Sequence, residues 1–514
     1  MKEEVGKMHR GPTRTLVGLA AAGLIASFGQ TAQAQENLYE SATGLSYGTE
    51  AANTTLNPNG VGQLLYGGYY DVRAVDGDAQ HVNIQILNNN TNVATLPECD
   101  FDDFYRGNDG STCYNPYGGI LAKVRFRDFR KSKELLDFNI ALSCGEVWAG
   151  RVTLGTSVPE VSSIYPIVTA VSSTTVTTDD VLVGGQSFST SNAPASDQDR
   201  GYFEVIAMEA LPCEPQDGSV ELSGDVWDRL DCADCNPTNA LSAEVFIVRA
   251  ASGISHEYNA DALSRFIVLG GGPITPIDPF ANDEPDAADC VNAGTTTGGT
   301  LPPGECVSQV NLALSKSRIN AQYDVEQATA GSVSVVVTLP TKSLVCGNVY
   351  SGPGADPFQC VTDTTGTPDV GEEITCTVYD RLENFAEEDQ PIFSPSPSPD
   401  TCILPYELTV LGVAEDVDSV DSRADVALLT GSLPYGDSGW IDLGFVTNPQ
   451  GAVLHRETVD DMDLNIQGIP VLGYQGLPAI ALVLQEFQNG NVGGTYGNLV
   501  PAIAETTVLY PGQS

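Results

Sequence analysis

Residues 120–142 read ILAKVRFRDFRKSKELLDFNIAL, and the spacing in this stretch decides the fold. Ala122, Val124 and Phe126 alternate with Lys123, Arg125 and Arg127. After a polar turn at Arg130 to Glu134, Leu136, Phe138, Ile140 and Leu142 alternate with Asp137, Asn139 and Ala141. Successive side chains of a strand point to opposite faces, so a period of two on both sides of a turn predicts a β-hairpin with one apolar face. A third strand is predicted to follow over Val147 to Leu154.

The same alternation extends outward from the hairpin. Upstream, Val82, Ile84 and Ile86 alternate with His81, Asn83 and Gln85 before the turn-forming run Asn88-Asn89-Asn90. Downstream, segments rich in Val, Ile, Phe and Tyr predict strands over 202–208, 243–250, 332–338, 406–413, 426–430, 440–446, 479–484 and 506–510. Helical spacing is confined to Ser223 to Leu230, Asp261 to Phe266 and Leu312 to Ile319. Many short strands with Gly and Pro between them predict an all-β protein of sandwich or barrel type.

The chain has 514 residues, more than one core usually organises. A Gly-, Pro-, Thr- and acid-rich stretch at 271–306 divides it into two expected β-sandwich-like domains, 35–270 and 307–514. The Ser-Pro alternation at 393–401 reads as an extended loop within the second. At the N-terminus, Lys7, Arg10 and Arg14 precede an apolar run from Leu16 to Phe28 and the sequence Ala32-Gln33-Ala34. That order reads as a Sec-type signal peptide over 1–34, which predicts export to the cell surface or the medium, with a periplasmic location as the alternative. No later stretch is apolar for the roughly 20 residues a spanning helix needs, so no transmembrane segment is expected in the mature chain.

The twelve cysteines form an even set, and in an exported chain they read as a disulfide framework. Cys99 and Cys113, Cys290 and Cys306, Cys346 and Cys360, and Cys376 and Cys402 each bracket a polar segment and are expected to close loop insertions. Cys144, Cys213, Cys232 and Cys235 remain for two further bonds whose pairing the sequence leaves open. Cys232-Ala-Asp-Cys235 has the spacing of a redox or zinc motif, but it lacks the βαβ context or the second ligand pair those need.

Charge excludes some functions and suggests others. With 67 Asp and Glu against 23 Lys and Arg, the net charge of −44 repels nucleic acid. Asp416, Asp418, Asp421 and Asp425 make a candidate calcium loop, because hard cations take six to eight oxygen ligands. Asp283, Glu284, Asp286 and Asp289 form a second acidic cluster, and Asp460, Asp461 and Asp463 a third. No other cofactor is expected. Lys123, Arg125, Arg127, Arg130, Lys131 and Lys133 place six of the 23 basic residues in one hairpin. They are the candidate surface for an acidic neighbour, a second copy of the chain, a cell-envelope component or an anionic polysaccharide. The opposing reading is a sheet face whose cations pair with acids on adjacent strands.

Gly436-Asp437-Ser438-Gly439 matches the loop around the nucleophile of chymotrypsin-like proteases, but the rest of that pattern is missing. Past the signal only His81, His256 and His455 could serve as base, and none has the expected neighbours. A tight turn entering a strand at Trp440 is the simpler reading, and no catalytic residue is assigned. Arg-Phe-Arg at 125–127, Leu-Asp-Phe-Asn at 136–139 and Thr-Leu-Pro-Thr-Lys at 338–342 resemble segments of uncharacterised secreted bacterial proteins, a likeness that implies no activity. Together these features predict a non-enzymatic surface or extracellular structural protein that self-assembles. The alternatives are a carbohydrate-binding or adhesive module using Tyr66, Tyr69 and Tyr70 as a sugar platform, and a secreted hydrolase.

Overall fold

The computed structural model describes residues 55–75, 77–90, 119–130, 134–155, 159–169, 181–182, 184–189, 199–211, 239–264, 313–324, 330–340, 372–384, 401–414, 421–430, 433–446, 456–458, 465–466, 469–470, 473–489, 494–505 and 507–509. Its named elements are all strands, and the four larger sheets hold most of them. Among the described residues no helix is long and apolar enough to cross a membrane.

The first half of the chain supplies two sheets. The N-inner sheet has eight strands in the order Thr55–Leu56, Asp261–Ser264, Leu64–Asp71, Arg200–Leu211, Gly119–Asp128, Glu134–Leu142, Ile167–Val168 and Val181–Leu182. The N-outer sheet has six, ordered Ser187–Phe188, Pro159–Ser163, Val147–Leu154, Gln80–Asn88, Leu241–Arg249 and Ile254–Asn259. The hairpin forms as its spacing predicts, with Val124 opposite Phe138 and Ala122 opposite Ile140. Val147–Leu154 is a strand, but it pairs with Gln80–Asn88 in the opposite sheet rather than extending the hairpin. Ile84, Ile86, Trp148 and Val152 of the N-outer sheet pack into one core with Val124, Phe126, Phe138 and Ile140 of the N-inner sheet.

The second half supplies two five-stranded sheets. The C-inner sheet runs Val426–Leu429, Leu408–Ala414, Ala330–Thr338, Ile480–Asn489 and Gly494–Pro501. The C-outer sheet runs Thr401–Leu404, Glu372–Asp380, Ser438–Gly444, Arg318–Asp324 and Ile503–Glu505. Val333, Val335, Val337 and Val483 of the C-inner sheet pack on Ile374, Val378, Ile441 and Leu443 of the C-outer sheet. Cys376 and Cys402 join the Glu372–Asp380 and Thr401–Leu404 strands through the disulfide their spacing predicts. Cys144 is also disulfide-bonded, and the other nine cysteines lie outside the described residues. The loops they were expected to close, and the 271–306 stretch, lie there as well.

No described strand of one half joins a sheet of the other, yet the halves share a core. The C-inner sheet is apolar on both faces: Val336, Val410, Ile480, Leu482 and Leu484 point away from the C-outer sheet and join the core of the first half. This fits strand geometry, since residues of opposite parity along Ala330–Thr338 and Ile480–Asn489 enter different cores. The Leu64–Asp71 strand lies at the junction, with all eight residues buried. Gly67 and Gly68 let it be covered closely on both sides. A Cβ at Gly67 would lie 1.9 Å from the Phe203 ring, and one at Gly68 would lie 2.6 Å from Ile480 Cγ2 of the other half.

Two expected helices are strands. Asp261 to Ser264 pairs with the Leu64–Asp71 strand, and Ser315 onward forms the strands Ser315–Lys316 and Arg318–Asp324. Both segments are too short for apolar spacing to separate the two periods, and available sheet edges decide the outcome. The third expected helix, 223–230, lies outside the described residues.

Candidate functional site

Among the described residues, a network of ionisable side chains lies where the halves meet. Glu486, on the Ile480–Asn489 strand, holds three cationic or polar groups from two directions. Its Oε1 accepts a hydrogen bond from Arg423 Nη1 at 2.7 Å and lies 2.7 Å from His256 Nε2. Its Oε2 accepts from Arg249 Nη2. Arg249 and His256 come from neighbouring strands of the N-outer sheet, where Ile247 pairs with His256, so their side chains reach Glu486 from the first half. Gly497 on the adjacent strand makes room for the imidazole, since a Cβ there would sit 2.5 Å from His256 Cε1.

Arg423 extends the network. Its Nη2 and Nε donate to Asp421 at 2.6 and 2.9 Å, and Asp421 also accepts from Ser334 Oγ at 3.2 Å. Burial alone would raise the Glu486 carboxyl; the His256 hydrogen bond and the Arg423 charge, with Arg249 behind them, overcome it and hold the group at about 2. Burial likewise raises Asp421, but hydrogen bonding and charge from Arg423 bring it below its ordinary value. Alongside, Tyr69 donates its hydroxyl to Asp71 at 2.8 Å, and Arg73 Nη2 donates to the same carboxylate at 2.7 Å. Burial and the Asp71 charge push the Tyr69 phenol well up.

A second contact between the halves uses Arg200. Its guanidinium donates to Asp425 Oδ2 at 3.0 Å and stacks over the Phe129 ring at 3.8 Å, while Phe129 meets Tyr406 edge-on at 5.0 Å. Backbone bonds accompany it: Leu408 N donates to Phe129 O at 2.8 Å, and Tyr202 Oη donates to Pro340 O at 2.9 Å. Fork-shaped guanidinium–carboxylate pairs of this kind fix orientation as well as adding energy.

The residues singled out in the sequence fall differently. Asp421 and Asp425 are engaged by Arg423 and Arg200, while Asp416 and Asp418 lie outside the described residues, as do the 283–289 and 460–463 clusters. Among the described residues no three His, Cys, Asp or Glu side chains gather as metal ligands. Lys123, Arg125 and Arg127 share one face as predicted, but that face is covered: they are 1, 4 and 3 % exposed. Lys123 Nζ lies 3.1 Å from Asp137, Arg127 Nη2 lies 2.6 Å from Glu204, and Arg125 is 3.9 Å from the same carboxylate. Arg130 is exposed beside Phe129 and Tyr406, and Lys131 and Lys133 lie outside the described residues.

Tyr66, Tyr69 and Tyr70 offer no sugar platform. All three are buried to within 1 % of full exclusion from solvent, with Tyr70 edge-on to Phe126 and Tyr66 near Tyr202. Their strand is covered on both faces, which removes the alternation that would have marked it. Ser438 opens the Ser438–Gly444 strand after a turn at 434–437 and pairs with Asp324. Of the described histidines, His256 is committed to Glu486 and His81 lies on the N-outer sheet, so neither stands beside it as a base. The Cys232–Cys235 motif and His455 lie outside the described residues.

On the far side of the N-outer sheet, away from the shared core, a groove of about 480 Å³ runs across four strands between Phe246 and Ile164. Asn83, Gln85, Arg151 and Ser162 line it. No family model, curated protein or solved structure matches the chain. Its geometry is therefore the basis for a functional reading.

Proposed function

We propose that this chain is an exported, non-enzymatic structural protein of the cell surface or extracellular space, built of two β-sandwich-like domains with disulfide-closed loops, which associates with copies of itself or with envelope components. The observation that carries the reading is the burial of the ion network at the junction. In this network, Glu486 and Asp421 are each already held by guanidinium groups, and the surrounding core belongs to both halves. A reacting group needs access, whereas this cluster is buried, has both carboxylates committed to guanidinium groups, and joins the halves into one body. Such a body suits load-bearing and assembly better than the opening and closing of a cleft.

Light scattering after size exclusion tests the proposal, across salt concentrations and with and without calcium. Assemblies larger than one chain that respond to salt or calcium are expected. A strict monomer under every condition overturns self-association.

A further inference from the structure

We infer that the groove on the far face of the N-outer sheet binds an acidic oligosaccharide, with Arg151 receiving its carboxylate. This goes beyond the structural role proposed above and holds whether or not the chain assembles.

Strand register builds the groove. Phe246 pairs with Asn83, Asn83 with Arg151, and Arg151 with Ser162, so four side chains from four successive strands form one transverse row on the same face. With strands about 4.8 Å apart, the row spans roughly 14 Å, the scale of a few linked sugar rings. Gln85 lies beside it on the Asn83 strand, and Ile164, 76 % exposed, forms one wall. Along the row stand a half-buried aromatic ring, an amide, a guanidinium and a hydroxyl. The ring offers a flat apolar surface to the C–H face of a pyranose, and the amides and hydroxyl can both donate to and accept from sugar hydroxyls.

Charge selects an acidic sugar. Arg151 is exposed and makes no ion pair or hydrogen bond among the described residues, although the chain carries 67 acidic residues against 23 basic ones. His81 lies diagonal to it on the adjacent strand, where burial and the Arg151 charge both lower the imidazole. Every other arginine of the N-inner and N-outer strands described above has a carboxylate within 4.0 Å. Carboxylates flank the lining without being part of it: Glu160, opposite Thr153, is diagonal to Arg151 on the next strand, Glu244 is opposite Gln85, and Glu257 is opposite Phe246. Arg151 is the one charged side chain among the groove's lining residues, so an anion in the groove is accommodated at Arg151. The carboxylate of a uronic acid, projecting from a ring stacked nearby, fits this arrangement, and a guanidinium is suited to binding it through two hydrogen bonds.

The test is calorimetric titration of the mature full-length chain with oligogalacturonate, with a neutral galactose oligomer and with polyglutamate. Oligogalacturonate is expected to bind, more weakly as salt rises, and Arg151→Gln is expected to weaken it roughly tenfold or more. Phe246→Ala should weaken it as well, and Arg151→Gln keeps the parent's melting temperature because the Arg151 side chain is exposed. Arg151→Lys should retain part of the affinity. Failure of oligogalacturonate to bind, equal binding of the neutral oligomer, preference for polyglutamate, or binding unchanged in both Arg151→Gln and Phe246→Ala would each overturn the inference.

Discussion

At Glu486 one carboxylate answers Arg249, His256 and Arg423, and the consequences for stability can be worked out from that geometry. Its folded value of about 2 lies below the ordinary glutamate value of roughly 4.3, so the network contributes fully above that ordinary value. The contribution, about 3 kcal/mol, is lost as pH falls toward 2; Asp421 shifts in the same direction and steepens the loss. Urea midpoints measured from pH 6 down to about pH 2 should therefore decline mainly below pH 4.5, and a flat profile there would contradict the assignment. Glu486→Gln leaves two guanidinium groups facing a neutral amide, and an expected loss of about 3–5 kcal/mol can be read from denaturant unfolding at neutral pH. Nothing local in the sequence marks this site. His256 and Glu486 lie 230 residues apart, and neither belongs to a motif. The acidic run at 416–425 was visible with Arg423 inside it, but the approach of Arg200 to Asp425 and of Glu486 to Arg423 in space was not.

Elements were legible where one face is apolar and the other polar. The 120–142 hairpin shows such alternation, and the register realises it pair by pair. The strand Leu64–Asp71 does not, because it is buried on both sides and carries a glycine pair at its centre. Gly68 is where that strand meets Ile480, so Gly68→Val is expected to push the halves apart and lower the melting temperature. Gly67→Val should instead disrupt the packing of Phe203 within the first half. Near-ultraviolet circular dichroism and thermal melting of the two variants would show whether both positions are as tight as described. In the C-outer sheet, the Cys376–Cys402 bond closes a separation of 26 residues. Replacing both cysteines by Ala should cost about 3.5 kcal/mol through the unfolded chain, measured under non-reducing conditions against the parent protein.

For the whole molecule, the shared core and the buried ion network predict cooperative unfolding of both halves together. Scanning calorimetry should show one main transition, whereas two well-separated transitions would mean that the junction contributes little. Composition and cysteine count pointed to a disulfide-bonded all-β chain, and the described residues are consistent with that class. What the sequence could not show was how much one half covers the other, since burial on both faces of the C-inner sheet depends on docking rather than on pattern.

That docking carries a kinetic consequence. The stretch LLYGGYYD at 64–71 leaves the ribosome early, its flanking strand partners Arg200–Leu211 and Asp261–Ser264 are made much later, and the Ile480 side chain that closes over Gly68 arrives later still. Contacts so remote along the chain make folding slow, and until synthesis is nearly finished one of the most apolar segments has no permanent cover. The nascent chain is thus exposed to aggregation for most of its production, and chaperones that keep this segment apart from other copies should govern its yield more than final stability does.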